Sequence, residues 1–248
     1  HPMYRRQRQM CIRDSIITAA SLFDGHDAAI NVMRRLIQSA GAEVIHLGHD
    51  QSAKAVVDCA IQEDAHGVAL TSYQGGHVEY FTYIRQLLDE AGCKHIRIFG
   101  GGGGTITPPE IKTLHESGIS KIYSPDDGRT MGLMGMIHHL MGIASEVDLI
   151  HSDRIASLSG PVTPEDTAKV GLLLTMSESA DDKTFKSTLE KCRSSEKEVP
   201  VIGFTGTGGA GKSSLLDELM LRILRDNPGK KVCLLLSLIH ISEPTRRI

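Results

Sequence analysis

Along most of the chain, short runs of consecutive apolar residues alternate with stretches in which apolar residues recur every third or fourth position. Ile16-Ile17-Thr18-Ala19-Ala20 reads as a buried strand, followed by a loop over 21–27. A helix is expected over 28–40, with Ile30, Met33 and Ile37 on one face and Gly41 after its end. The pattern repeats with a strand over 43–47 and a helix over 52–64, capped by Ser52. A third strand over 67–71 leads to a helix over 77–91 stopped by Gly92, and a fourth over 95–99 runs into Gly100–Gly104. Pro108 opens a helix in the N1 position, 119–123 is a fifth strand, and 128–140 a closing helix.

Five apolar strands, each followed by a helix, predict an α/β fold: a flavodoxin-like, doubly wound parallel sheet over residues 15–145. Such sheets bind ligands beyond the carboxyl ends of their strands, so the strand-to-helix loops are where chemistry is expected. Residues 146–198 are richer in Ser, Thr, Glu and Lys and read as a helical linker. At Val199 the α/β pattern restarts: VPVIGF as a strand, a glycine-rich loop, a helix from Leu215, and a second strand over 231–236. Residues 199–237 therefore read as the opening part of a P-loop NTPase domain. Residues 1–14 and 238–248 match neither period. They resemble translated sequencing-adaptor read-through and are expected to be non-native tails.

Composition narrows the class only slightly. A length of 248 residues suffices for one or two domains with real cores. A net charge of −3 gives no electrostatic reason to expect a nucleic-acid partner or an anionic membrane. The five cysteines are far apart with no C-x-x-C pair, which fits reduced thiols in a cytoplasmic protein. The longest apolar stretch, Val232 to Ile239, is far too short to span a bilayer.

Three loops on the carboxyl edge of the expected sheet carry unusual content: Asp24-Gly25-His26-Asp27-Ala28-Ala29, Thr71-Ser72-Tyr73-Gln74-Gly75-Gly76-His77, and Gly100 to Gly104. Together they resemble the D-x-H-x-x-G, S-x-L and G-G fingerprint of cobalamin-binding domains of the base-off, His-on type. The 41 residues from Ile30 to Leu70 and the 26 from Gln74 to Phe99 match that family's spacing. Three elements in register are far more specific than one D-x-H. The resemblance implies that His26 is the lower axial ligand to cobalt. A ligating histidine needs its other ring nitrogen held by an acceptor, and Asp24 stands two residues away. It further implies that Asp24, Gly25, His26, Asp27, Thr71, Ser72, Tyr73, Gly100 and Gly101 contact the cofactor. Thr71 would offer its hydroxyl to the displaced nucleotide tail, and the two glycines would let backbone approach it closely. The chain departs from the fingerprint at Ala29 for Gly, Thr71 for Ser and Tyr73 for Leu.

Gly206-Thr207-Gly208-Gly209-Ala210-Gly211-Lys212-Ser213 fits G-x-x-x-x-G-K-[ST] without exception, followed by Ser214. In this motif the loop N–H groups and the helix N-terminus hold phosphate. Lys212 reaches the β- and γ-phosphates, and Ser213 ligates magnesium. Residues Gly206, Gly208, Gly209, Ala210, Gly211, Lys212, Ser213 and Ser214 are thus the expected nucleotide site. No Walker-B aspartate, switch region or N-K-x-D guanine reader occurs in this sequence, so guanine is not distinguished from adenine by the residues present.

The order of cobalamin-type domain, linker and P-loop is similar to that of fused isobutyryl-CoA mutases, as are the strings TAASLFDGHDAAI, TSYQGGH, IFGGGGG and YSPDDGR. That resemblance covers residues 16–237. It implies adenosylcobalamin as cofactor, GTP with magnesium at a MeaB-like chaperone GTPase, and rearrangement of isobutyryl-CoA to n-butyryl-CoA. Acyl-CoA would bind a C-terminal barrel absent from this sequence, and the full-length protein would be a homodimer. No residue present is expected to be catalytic. The alternatives are a mutase acting on methylmalonyl-CoA or another acyl-CoA, and a non-enzymatic corrinoid-binding module coupled to a nucleotide switch.

Overall fold

A computed structural model describes residues 14–163, 165–193, 199–230 and 232–234. The chain divides into two compact units, residues 1–196 and 197–248. In the first, five parallel strands run β1 (Ser15–Ser21), β2 (Glu43–Gln51), β3 (Gly67–Thr71), β4 (Arg97–Gly101) and β5 (Lys121–Tyr123), in the order β2-β1-β3-β4-β5. This is the flavodoxin-like order expected from the repeated strand–helix pattern. Between them lie α1 (Asp27–Ser39), α2 (Ala53–Gln62), α3 (His77–Glu90), α4 (Pro108–Glu116) and α5 (Pro125–Ala144).

Successive strand residues feed opposite faces, so an unbroken apolar run buries both. Ile17, Val68, Leu70, Ile98 and Ile122 pack under α2, α3 and α4 with Val56, Phe81, Ile84, Leu88 and Leu114. Ile16, Ala69, Phe99 and Tyr123 pack under α1 and α5 with Ile37, Ile137, Leu140 and Ala144. Strand β1 lies between β2 and β3, so the chain winds both ways from it. This switch point opens a crevice at the carboxyl ends of β1 and β3.

Several element ends move from their expected places for visible reasons. β4 begins and ends two residues later than expected and takes in Gly100 and Gly101, paired with Leu70 and Thr71. β5 is confined to Lys121–Tyr123, where β4 offers partners. Helix α5 starts at Pro125 instead of Gly128, because Ser124 and Asp127 form a reciprocal capping box ahead of it, and it kinks at Gly132 (φ 66°).

Residues expected to form a linker pack as part of the first unit. Helices α6 (Ser152–Ser157), α7 (Thr167–Ser179) and α8 (Asp182–Cys192) share a small core of Leu158, Leu172, Met176 and Cys192. Arg154 Nη2 lies 2.5 Å from Asp64 Oδ1, and Thr175 donates to Asp64 Oδ2 at 2.9 Å. Gly171 sits so close to the end of α2 that a Cβ there would approach the Ile61 carbonyl oxygen to 2.9 Å.

The second unit differs from expectation. Residues 199–207 form no strand, and Val201 is 93% exposed. Val232–Leu234 form none either, while Lys231 and residues 235–236 of that expected strand lie outside the described residues. A strand is a paired object, and no described segment of this unit offers either a ladder partner. Among its described residues one helix is present, α9 (Lys212–Asp226), beginning at Lys212 rather than Leu215, with no buried residue. The expected terminal tails lie outside the described residues apart from Asp14. Among the described residues no helix is long and apolar enough to cross a membrane.

Candidate functional site

The β1–α1 and β3–α3 loops meet at the switch point through one carboxylate. Asp24 is fully buried, yet it accepts hydrogen bonds from the His26 amide (2.9 Å) and His26 Nδ1 (2.7 Å) on Oδ1, and from the Tyr73 amide (2.6 Å) on Oδ2. Burial alone would raise its pKa. The hydrogen bonds from Tyr73 and His26 outweigh it and hold the carboxyl below its ordinary value. Nδ1 therefore carries the proton shared with Asp24, which leaves Nε2 with its lone pair outward, on a side chain 62% exposed. The Tyr73 ring lies 5.4 Å from the imidazole, tilted at 44°, and restricts its rotation. A neutral imidazole with one nitrogen anchored to a buried carboxylate is the arrangement a metal-ligating histidine requires.

Beside it, under α1 and α5, is an apolar groove lined by Ile30, Met33, Leu70, Thr71, Phe99 and Gly101. Thr71 is 7% exposed, and its Oγ1 has no hydrogen-bond partner among the described residues. An unpartnered buried hydroxyl is costly unless something else satisfies it. Gly101 faces the groove side, where a Cβ would make ordinary contact with the Tyr123 carbonyl. Gly100 has a different reason to be glycine: on the opposite face a Cβ would lie 2.5 Å from the Phe81 ring and 2.7 Å from Ile122.

The structure thus brings together Asp24, His26 and Tyr73, with Thr71 and Gly101 at the adjoining groove. Ser72 is buried and already engaged, its hydroxyl accepting from Ser21 Oγ (2.9 Å) and its amide donating to Gly101 O (2.9 Å). Gly25 is exposed with open space around it, and Asp27 begins α1. Two contributors escaped the sequence reading. Gly102 has no room for a side chain because a Cβ would overlap the Ser72 carbonyl; the five-glycine run was the signal for it. Asp50, at the carboxyl end of β2, accepts from the Phe23 amide (2.7 Å) and donates its own amide to the Asp24 carbonyl (3.3 Å). Its place on the same sheet edge was the signal there. A second, larger cavity lies at the amino edge beside Ser15, Glu43 and His66, away from all three loops.

In the second unit, Gly209 (φ 76°) and Gly211 (φ 78°) adopt the left-handed backbone that glycine enters at least cost. Gly211 is the N-cap of α9, so Lys212, Ser213 and Ser214 occupy its first turn, after Gly206, Gly208 and Ala210. Lys212 Nζ donates to the carbonyls of Gly206 (2.7 Å) and Thr207 (2.6 Å), which holds the ammonium over the loop.

Residues 15–122 match the B12 binding domain family. The chain is 49% identical over 226 residues to a fused isobutyryl-CoA mutase of Geobacillus kaustophilus (strain HTA426), covering 88% of this chain and 20% of that protein. It is 48% identical over 231 residues to a fused isobutyryl-CoA mutase of Cupriavidus metallidurans (strain ATCC 43123 / DSM 2839 / NBRC 102507 / CH34), covering 93% and 20%. The chain therefore spans about a fifth of the length of these curated relatives. It is also 33% identical over 112 residues to the 2-hydroxyisobutanoyl-CoA mutase small subunit of Aquincola tertiaricarbonis, covering 45% of this chain and 80% of that subunit. A buried aspartate that fixes an outward-facing histidine, set in a sheet of this order and matched by these relatives, leads to one assignment: the chain belongs to the B12-binding acyl-CoA mutase family, on the branch of the fused isobutyryl-CoA mutases.

Proposed function

We propose that the first unit holds a base-off cobalamin, with His26 Nε2 as the lower axial ligand. The observation that carries this reading is the double anchoring of Asp24, which fixes the His26 tautomer and leaves Nε2 without a protein partner among the described residues, on an exposed side chain. The residues fit the group in three further respects. The orphaned Thr71 hydroxyl faces an apolar groove, the natural place for a displaced nucleotide tail. Gly101 lines that groove with no side chain to obstruct it. Asp24, kept ionised by its hydrogen bonds, is a fixed acceptor that orients the imidazole it holds. When bound, adenosylcobalamin would supply a cobalt–carbon bond that can break homolytically, the source of a radical for carbon-skeleton rearrangement. The chain's own part is to seat the cofactor, orient the lower ligand and shield the tail from water.

Within a longer protein of this branch, the reaction proposed is interconversion of isobutyryl-CoA and n-butyryl-CoA, with acyl-CoA bound by a further domain. The P-loop, Gly206 to Ser213, is proposed to hold GTP with magnesium on Ser213 in a chaperone GTPase that gates cofactor loading, in a homodimeric cytoplasmic protein. Supporting the choice of acyl-CoA is the higher identity to isobutyryl-CoA mutases (49% and 48%) than to the 2-hydroxyisobutanoyl-CoA enzyme (33%). The test is a hydroxocobalamin titration of the whole chain beside His26→Ala. The wild type should bind with the visible spectrum of an imidazole lower ligand, and the variant should lose both that spectrum and most of the affinity. Equal binding with an unchanged spectrum would remove His26 from the cobalt.

A further inference from the structure

The turn that delivers Asp24 contains a residue that the fold does not explain. Ser21 to Asp24 form a turn closed by the Asp24 amide on the Ser21 carbonyl (3.0 Å), and its third residue, Phe23, has φ 64°. Turns with positive φ at that position take Gly or Asn at least cost, and a bulky aromatic there is a genuine outlier. Packing does not compensate. Phe23 is 80% exposed, the most exposed large apolar side chain in the first unit's described residues.

The conformation is nonetheless enforced. The Phe23 amide donates to Asp50 Oδ1 at 2.7 Å. Asp50, itself at φ 56°, donates its amide to the Asp24 carbonyl at 3.3 Å. Phe23, in the turn after β1, and Asp50, in β2, are thus both left-handed and joined by a hydrogen bond, beside the carboxylate that holds His26. Backbone strain held in place by surrounding bonds, on an apolar ring displayed to water, is a feature that clusters at ligand sites.

We propose that Phe23 is a positioning residue for cobalamin, its ring packing against the apolar periphery of the corrin macrocycle when His26 ligates cobalt, and that Asp50 holds it there. The inference rests on the cobalamin reading above. Its occupant is the corrin and not an absent protein domain, because Phe23 is tied covalently and by hydrogen bonds to the loop that carries the axial ligand.

The test uses Phe23→Gly and Phe23→Asn, both of which accept the left-handed backbone and so leave the turn intact. The whole chain is titrated with adenosylcobalamin and followed by visible absorption, and apo thermal midpoints are recorded alongside. Both variants should melt at or near the wild-type midpoint, bind about tenfold or more weakly, and still show the imidazole-ligated spectrum at saturation. Asp50→Asn should weaken binding in the same direction by less. If Phe23→Gly binds within about twofold of wild type, the proposal is overturned, and a role against another protein domain becomes the explanation for the exposed ring. Should the wild type show no His26-dependent spectrum, the cobalamin reading falls and this proposal with it. A normal wild-type spectrum with normal Phe23→Gly affinity overturns this proposal alone.

Discussion

Replacing Asp24 with Asn removes one charge and changes nothing in shape, so its effect follows from counting donors and acceptors. Asp24 accepts three N–H groups, two on Oδ1 from His26 and one on Oδ2 from Tyr73. An asparagine keeps a single acceptor oxygen and presents an NH2 on the other side. With the oxygen toward His26, the NH2 faces the Tyr73 amide, donor against donor. With the oxygen toward Tyr73, both His26 contacts go. The first arrangement preserves more bonds and should prevail, leaving the Tyr73 N–H and the new buried NH2 both unsatisfied, at a cost of about 1–3 kcal/mol each. The weakened acceptor also orients the imidazole less firmly, and changes of this kind reduce metal affinity about 10- to 100-fold. The expected outcome is a less stable apo protein that still binds cobalamin in the His-on form, more weakly than wild type and more tightly than His26→Ala. Thermal denaturation of apo protein and a cobalamin titration followed by visible absorption give both quantities. Wild-type affinity and an unchanged melting midpoint would show that Asp24 neither holds the loop nor serves the ligand.

Thr71→Val removes the orphaned hydroxyl without changing volume, so apo stability should rise by about 1 kcal/mol while cobalamin affinity falls about tenfold, as read by melting and titration. Arg154→Ala strands the buried Asp64 carboxylate and should cost about 3 kcal/mol at neutral pH, measured by denaturant unfolding. Burial pushes the Asp64 pKa up, but His95, Arg154 and Thr175 hold it below its ordinary value, so its stabilising contribution exists above the unfolded carboxylate pKa of about 3.9 and vanishes as pH falls through the lower folded value. The gap between wild type and Arg154→Ala should therefore be full above the ordinary carboxylate range and close as pH falls below it. GTP with magnesium should bind this chain only weakly despite Lys212 and Ser213, because α9 has no buried residue and Leu215, Leu221 and Leu224 are exposed; micromolar binding by calorimetry would refute this.

The sheet was legible because a parallel strand buried on both faces is a short unbroken apolar run, as in Ile16-Ile17 and Val68-Ala69-Leu70. The Asp24–His26 pair was legible because its interaction is local, two residues apart, and the matching loops stood at recognisable spacings. What pattern could not reveal depends on contacts between distant residues or on backbone angles. The Tyr73 amide that fixes the second Asp24 oxygen lies 49 residues away, and the Arg154–Asp64 pair, which attaches the segment read as a linker, spans 90. Phe23 looks like an ordinary apolar residue until its φ is known. The failure at VPVIGF has the same root: apolar runs express a capacity to pair, and residues 199–207 have no partner among the described residues.

The central claim, that His26 Nε2 ligates cobalt, is tested most directly by electron paramagnetic resonance of the whole chain loaded with cob(II)alamin. Hyperfine coupling from the axial nitrogen reports which nucleus is bound. Protein grown with heavy-nitrogen histidine and loaded with ordinary cofactor should show the coupling pattern of the heavy isotope, and His26→Ala should abolish it. A pattern that stays that of ordinary nitrogen in the labelled protein would mean that the cofactor's own base remains on cobalt, contradicting the account.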